Sequence, residues 1–236
     1  CLRSGAGLLT VHSTKSTLDA LLLHLPEAMS SEDTSDKHIT EVHRPENYDA
    51  IAFGPGVGTH EDSAQVLKKT LHYYQGKLVI DADGLNILAE NKTWLEFLPP
   101  AAILTPHPKE FERLTQKYTD DFERLAALKN FSIRYNCIVI LKGAHSVTAM
   151  PDGHLFFNAS GNAALAKGGT GDALTGIILG LLSRGYSAAQ AALIAPFVHG
   201  YAADLLVKKK SMESILASDL IAQLPKAFKK LEKFNL

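Results

Sequence analysis

The sequence predicts an α/β fold, a largely parallel central sheet covered by helices on both faces, with a late β-hairpin and C-terminal helices. Three observations carry this. Short β-rich runs alternate with helical patterns from Leu8 to Leu141, Pro151-Asp152-Gly153 separates two further extended runs, and beyond Phe157 only helical patterns remain.

In chain order, Ser4-Gly5-Ala6-Gly7 reads as a loop running into a first strand, Leu8 to Val11, and the polar stretch Ser30 to Lys37 reads as a loop. Strands covered on both faces are continuous apolar runs, and Asp49 to Phe53, Lys77 to Ile80, Ala101 to Leu104 and Asn136 to Leu141 have that character. Helical spacing marks Glu61 to Tyr74, Pro108 to Gln116 and Asp120 to Tyr135. His145 to Met150 and His154 to Phe157 flank the Pro-Asp-Gly turn and predict an antiparallel hairpin. Helices follow over Asp172 to Ser183, Ala188 to Val207 and Ser218 to about Phe234. Ser187 and Gln190 form a capping box for the second of these, and Pro196 should kink it. Gly176 and Gly180, four apart on one helical face, permit close approach of a neighbour.

With 236 residues, 46% hydrophobic and 21% charged, the chain reads as one globular domain over residues 1–236. A net charge of −1 gives no general attraction to nucleic acid or anionic membranes. Basic runs occur at Lys208 to Lys210 and Lys226 to Lys233, but Ala227, Phe228, Leu231 and Phe234 interleave the second at helical spacing, as in a solvated amphipathic face. Two cysteines, Cys1 and Cys137, make no disulfide framework. No apolar stretch is long enough to span a bilayer, and a cytoplasmic location is expected. Because the chain opens at Cys1, an upstream segment is expected to be missing. The apolar stretch Ala188 to Val198 reads either as a homo-oligomer interface or as ordinary core packing.

Gly168-Gly169-Thr170-Gly171-Asp172 opens a long apolar helix. Glycines let successive N–H groups converge on one anion while the helix directs its positive end at the same spot, the arrangement of a phosphate cradle. A tight connection and nothing more is the alternative. Asp172 suits the helix dipole, yet a bare carboxylate would repel phosphate, so it is read as a base in the reaction.

Open parallel sheets bind ligands beyond the carboxyl ends of their strands. Four strands here end in informative residues: Gly54-Pro55-Gly56-Val57-Gly58, Asp81-Ala82-Asp83-Gly84-Leu85-Asn86, Thr105-Pro106-His107-Pro108-Lys109-Glu110 and Lys142-Gly143-Ala144-His145-Ser146. Singly, each is open to a turn, a cap or a satisfied loop histidine; together they would surround one crevice. Lys142, closing an apolar strand, needs an anionic partner or water, and a nucleotide phosphate would supply the former.

These motifs in this order, with Asn162-Ala163-Ala164-Leu165-Ala166-Lys167 leading into the glycine run, resemble the ADP- or ATP-dependent NAD(P)H-hydrate dehydratases of the ribokinase-like superfamily, over almost the whole chain. The resemblance implies a repair reaction. NADH or NADPH hydrated on the nicotinamide ring is phosphorylated on its new hydroxyl, then loses phosphate to regenerate the reduced dinucleotide. Bacterial members generally use ADP and leave AMP. Carried over, Lys142, Gly143, Ala144, His145 and Ser146 with Gly171 correspond to the adenine-nucleotide site. Gly56, Asn86, His107, Asn162 and Asp172 correspond to the hydrate site, while Gly169, Thr170 and Gly171 join Asp172 in the chemistry. Mg²⁺ is implied on the nucleotide phosphates, and a fused or partner epimerase accompanies some relatives.

Two departures stand out. The N-terminal segment of small residues that precedes Arg3-Ser4-Gly5-Ala6-Gly7 in relatives, and helps form the hydrate pocket, is not in this sequence. Ala163-Ala164-Leu165 stands where relatives often have Pro-Gly-Met. The rival expectation is a ribokinase-like kinase of a small alcohol, such as a thiamin precursor, whose product keeps the phosphate.

Overall fold

A pleated strand sends alternate side chains to opposite faces, so an apolar strand covered on both sides feeds two cores at once. The computed structural model, which describes residues 1–232, has this arrangement. Strands β3 (Ala50–Phe53), β4 (Lys77–Ile80), β5 (Ile103–Leu104) and β6 (Ile138–Leu141) are parallel neighbours. Strands β7 (Val147–Ala149) and β8 (Leu155–Phe157) extend the same six-stranded sheet as an antiparallel hairpin. Leu78, Ile80, Leu104 and Val139 enter a core roofed by α2 (Glu61–Tyr73), α3 (Ala82–Glu90), α4 (Pro108–Leu114) and α5 (Asp121–Arg134). Val79, Ile103, Ile138 and Ile140 enter the opposite core beneath α6 (Thr170–Ser183), α7 (Ala188–Leu206) and α8 (Ala217–Glu232). The expected α/β layering and hairpin are present.

The start of the chain departs from expectation. The first strand, β1, runs over Thr10–Ser13, two residues later than read from the sequence, and pairs in parallel with β2 (Met29–Glu32), which overlaps the start of the polar stretch Ser30 to Lys37 taken for a loop. Between them lies α1 (Lys15–His24), which the sequence reading did not anticipate. The reason is physical: β2 is largely exposed and α1 buries only Leu18, so neither carries an apolar period. After β2 the backbone is organised by buried Asp33, which accepts N–H groups from Ser35 and Thr40, the Thr40 hydroxyl and His12 Nε2. Burial alone would raise the Asp33 pKa, but these donors hold the carboxyl well below the usual range.

Strands β5 and β6 begin two residues later than expected, because Ala101 (φ 59°) and Asn136 (φ 45°) are left-handed turn residues. Helix α3 was hidden by Ala82-Asp83-Gly84, which reads as a turn. The expected end of the last helix near Phe234 lies outside the described residues.

Two features fix the C-terminal layer. The Ser187–Gln190 capping box starts α7, and the helix continues through Pro196, whose missing N–H frees the carbonyl of Ala192. Thr148 on β7 donates its hydroxyl to that oxygen at 3.3 Å. On α6, Gly176 and Gly180 receive the N-terminal turn Leu2–Ser4; a Cβ on Gly180 would lie 2.7 Å from both Cys1 O and Ser4 Cβ. No described helix is long and apolar enough to cross a membrane.

Candidate functional site

The glycine run opens a long apolar helix, as expected. Gly169 is the N-cap of α6 with φ 83°, a conformation that penalises any Cβ. The Thr170 hydroxyl turns inward to Leu165 O (2.7 Å) and Lys167 O (2.8 Å), and buried His199 on α7 donates Nε2–H to Thr170 O at 2.9 Å. The first turn of α6 is therefore held from both sides. Ala173 N–H is the first to reach back, to Gly169 O, so by helix geometry the N–H groups of Gly171 and Asp172 point out of the helix end. Asp172 is exposed one residue beyond Gly171.

The lysine closing β6 meets this turn. Lys142 Nζ lies 3.5 Å from where a Cβ on Gly171 would sit. Its anionic partner, which the sequence reading sought in a nucleotide, is within the chain: Asp81 Oδ1 at 2.8 Å, with Glu110 Oε2 at 3.8 Å. Asp81 is 1% exposed, and its second oxygen accepts the Thr175 hydroxyl at 2.6 Å. One carboxylate thus ties the ends of β4 and β6 to helix α6.

His107 caps α4. Its Nδ1 accepts the N–H groups of Lys109 (3.1 Å) and Glu110 (3.2 Å), while Glu110 Oε2 accepts the His107 N–H at 2.7 Å. The proton is consequently on Nε2. Burial lowers the His107 pKa, with Lys142 and Arg113 acting in the same direction against Glu110, so the ring is neutral at physiological pH.

A loop from Asn158 to Ala166 forms the facing wall and is bolted to α7. Ser160 Oγ donates to Phe197 O (2.9 Å), Gly161 N–H to Asp204 Oδ2 (2.9 Å) and Asn162 Nδ2 to Asp204 Oδ1 (2.8 Å). Asn162 also caps the short turn Ala163–Leu165 by accepting Ala164 N–H. Between this wall, the β6 end and the start of α6 lies a cavity of about 610 Å³, within the range of small-molecule sites. A second hollow of about 540 Å³ adjoins it and shares the segment Lys142 to His145.

The cavity brings together His107, Lys142 to Ser146, Asn162, Thr170 and Gly171. Gly169 and Asp172 flank it along the chain without lining it. Gly56 and Asn86 are not part of its wall. Gly56 is exposed beside Gly58, whose N–H donates to Asp83 Oδ2, and Asn86 donates to Asp83 Oδ1. Sequence reasoning did not single out Thr175, His199 or Asp204. A lone histidine in an otherwise apolar helix was the signal for His199; Thr175 and Asp204 gave none, because their partners are distant in sequence.

Chemically, the site offers a helix N-terminus and a lysine at one end of the cavity, suited to anionic oxygens, and a solvent-accessible carboxylate beside them. The carboxylates of Asp81, Glu110 and Asp204 are occupied by protein donors. With these partners they do not form a cage for a hard cation.

The chain is similar to known proteins along nearly its whole length. The NAD(P)H-hydrate dehydratase family model matches residues 1–226. The chain is 35% identical over 233 residues to the ADP-dependent (S)-NAD(P)H-hydrate dehydratase of Bacillus subtilis, covering 98% of this chain and 82% of that protein. It is 32% identical over 242 residues to the bifunctional NAD(P)H-hydrate repair enzyme of Moorella thermoacetica, of whose length it spans 46%. Among solved structures, the B. subtilis ADP/ATP-dependent NAD(P)H-hydrate dehydratase, co-crystallised with ATP/Mg²⁺ and soaked with CoA, superposes with a TM-score of 0.83 at 32% identity, covering 97% of this chain and 83% of that one. A hydroxyethylthiazole kinase from Pyrococcus horikoshii, at 16% identity, covers 93% of this chain and 88% of that one with a TM-score of 0.66 and shares the fold alone. By its match along nearly the whole sequence, the chain belongs to the NAD(P)H-hydrate dehydratase family.

Proposed function

We propose that the chain catalyses the adenine-nucleotide-dependent dehydration of NADH or NADPH hydrated on the nicotinamide ring. The observation that carries this reading is the junction at Gly171, where the outward N–H groups of α6, Lys142 Nζ and the cavity meet one residue from Asp172. The nucleotide lies along Lys142 to Ser146, with its terminal phosphoryl group at Gly169 to Gly171. The hydrate approaches Asp172 from the side of Gly56, Asn86, His107 and Asn162.

Asp172 takes the proton of the ring hydroxyl as its oxygen bonds to the terminal phosphorus and the bond to the departing nucleotide breaks. The N–H groups at the start of α6 stabilise the charge that builds on the transferred group. The ring nitrogen then expels the phosphate, and loss of a ring-carbon proton restores the double bond. Mg²⁺ bound to the nucleotide phosphates neutralises their charge.

The nucleotide of this reading is ADP or ATP, in keeping with the names given to the B. subtilis relative. The reading includes a cytoplasmic location. A fused or separate epimerase partner fits the relatives described as bifunctional. Leu193 and Phe197, partly exposed on α7, keep a homo-oligomeric contact as part of the reading; a monomer by sedimentation at micromolar concentration would remove it.

The test is to incubate the protein with hydrated NADH, Mg²⁺ and ADP or ATP, and to follow reduced-nicotinamide absorbance together with free phosphate. Recovery of absorbance with one phosphate released per turnover is expected. A product that retains phosphate would assign the chain instead to the small-alcohol kinases.

A further inference from the structure

We propose a second site, unconnected with catalysis: a transition-metal site formed by His38, His60 and Asp62, taking Zn²⁺ or a similar borderline cation. Among the described residues this is the one group of three histidine, cysteine or acidic side chains whose ligand atoms all lie within 4.8 Å of one another. Its parts come from separate segments. His60 and Asp62 sit at the N-terminus of α2, and His38 comes from the segment after β2, held in place by the buried side chain of Ile39 next to it.

The ligand atoms are close enough to converge on one ion after a local movement. His38 Nε2 is 2.7 Å and His60 Nδ1 3.4 Å from the same oxygen, Asp62 Oδ2. Two ligands about 2.0–2.1 Å from a tetrahedral zinc stand roughly 3.3 Å apart, so one distance already matches and the other must widen by about 0.6 Å. Binding at His38 Nε2 moves that ring's proton to Nδ1. The two imidazoles are stacked, with centroids 3.8 Å apart and an interplanar angle of 15°. A common ion requires one ring to turn so that the lone pairs converge, and His60, 55% exposed, has room to do so. Its Nδ1 gives up only a long contact with Asp62 N–H, 3.3 Å.

Two imidazoles and one carboxylate select zinc, nickel or copper over magnesium. The half-exposed edge leaves a position for water. A bound ion would clamp the segment after β2 to the start of α2. The other exposed histidine–carboxylate pairs, His43–Glu41 and His154–Asp152, offer two donors each and serve as controls.

The experiment uses the whole chain without nucleotide, comparing thermal unfolding with Zn²⁺, with Mg²⁺ and with neither. A rise of about 4 °C or more in Tm at saturating Zn²⁺, and none with Mg²⁺, is expected. His38→Ala and His60→Ala should lose the rise, and His154→Ala should keep it. Co²⁺ should give visible absorption bands of a low-coordinate ion in wild type that vanish in His38→Ala. His38→Gln, which keeps a polar side chain, provides the comparison should His38→Ala unfold. A Zn²⁺ shift of equal size in wild type and either His38 variant, or no shift in wild type, overturns the proposal.

Discussion

Lys142 Nζ lies 2.8 Å from Asp81 Oδ1, joining two residues 61 positions apart at the carboxyl ends of neighbouring-but-one strands. Thr175 on α6 holds the other Asp81 oxygen, so the lysine beside the start of α6 is oriented by the chain itself.

Removing one partner of a buried pair strands the other. Lys142→Ala should lower stability by about 2–4 kcal/mol, below the range for a wholly enclosed pair because the lysine side chain is 22% exposed. Lys142→Met combined with Asp81→Asn should recover part of that loss. Urea unfolding of the single and double variants checks both expectations.

His199 gives the fold an acid-sensitive limb. Burial lowers its pKa to about 4 from an ordinary 6.5. The unfolded chain therefore takes up a proton below pH 6.5 that the folded chain refuses until about pH 4. The contribution is complete above pH 6.5 and is lost as pH falls toward 4, by an amount of order 3 kcal/mol. Denaturation midpoints between pH 7 and 4 should fall less steeply in His199→Asn.

Thr148→Val keeps side-chain shape but leaves Ala192 O, freed by Pro196, without its hydroxyl donor. A loss of about 1–3 kcal/mol is expected, measured by chemical denaturation, with m unchanged.

Gly180→Ala forces a methyl group into Cys1 O and Ser4 Cβ. The Leu2–Ser4 turn should shift from α6 at a cost of about 1–3 kcal/mol. Thermal unfolding would read the loss, and nucleotide binding at the far end of α6 should persist.

Much of this was legible in the chain. The apolar runs of β3 to β6 declare themselves because both faces are buried, and the Pro-Asp-Gly turn fixes the hairpin. The glycine run is readable because Gly169 needs a left-handed backbone. Strand β2 was not, since three of its four side chains are exposed, and the one side-chain bond that ties it to β1, His12 Nδ1 to Ser31 Oγ at 3.0 Å, joins residues 19 positions apart. Nor was the Lys142–Asp81–Thr175 linkage, because long-range pairing leaves no local pattern. Asp81 was visible only as a polar strand end.

The most direct test of the central claim is Asp172→Asn, measured for nucleotide binding by calorimetry and for hydrate turnover by absorbance on one preparation. Asparagine is nearly isosteric and tolerated near a helix start, so the fold and the N–H groups around Gly171 should persist. Turnover should fall by about 10²–10⁴-fold while nucleotide affinity holds or tightens, a negative charge having been removed beside the phosphates. Near-normal turnover in a folded Asp172→Asn protein would contradict the account, because the hydroxyl proton would then leave by another group.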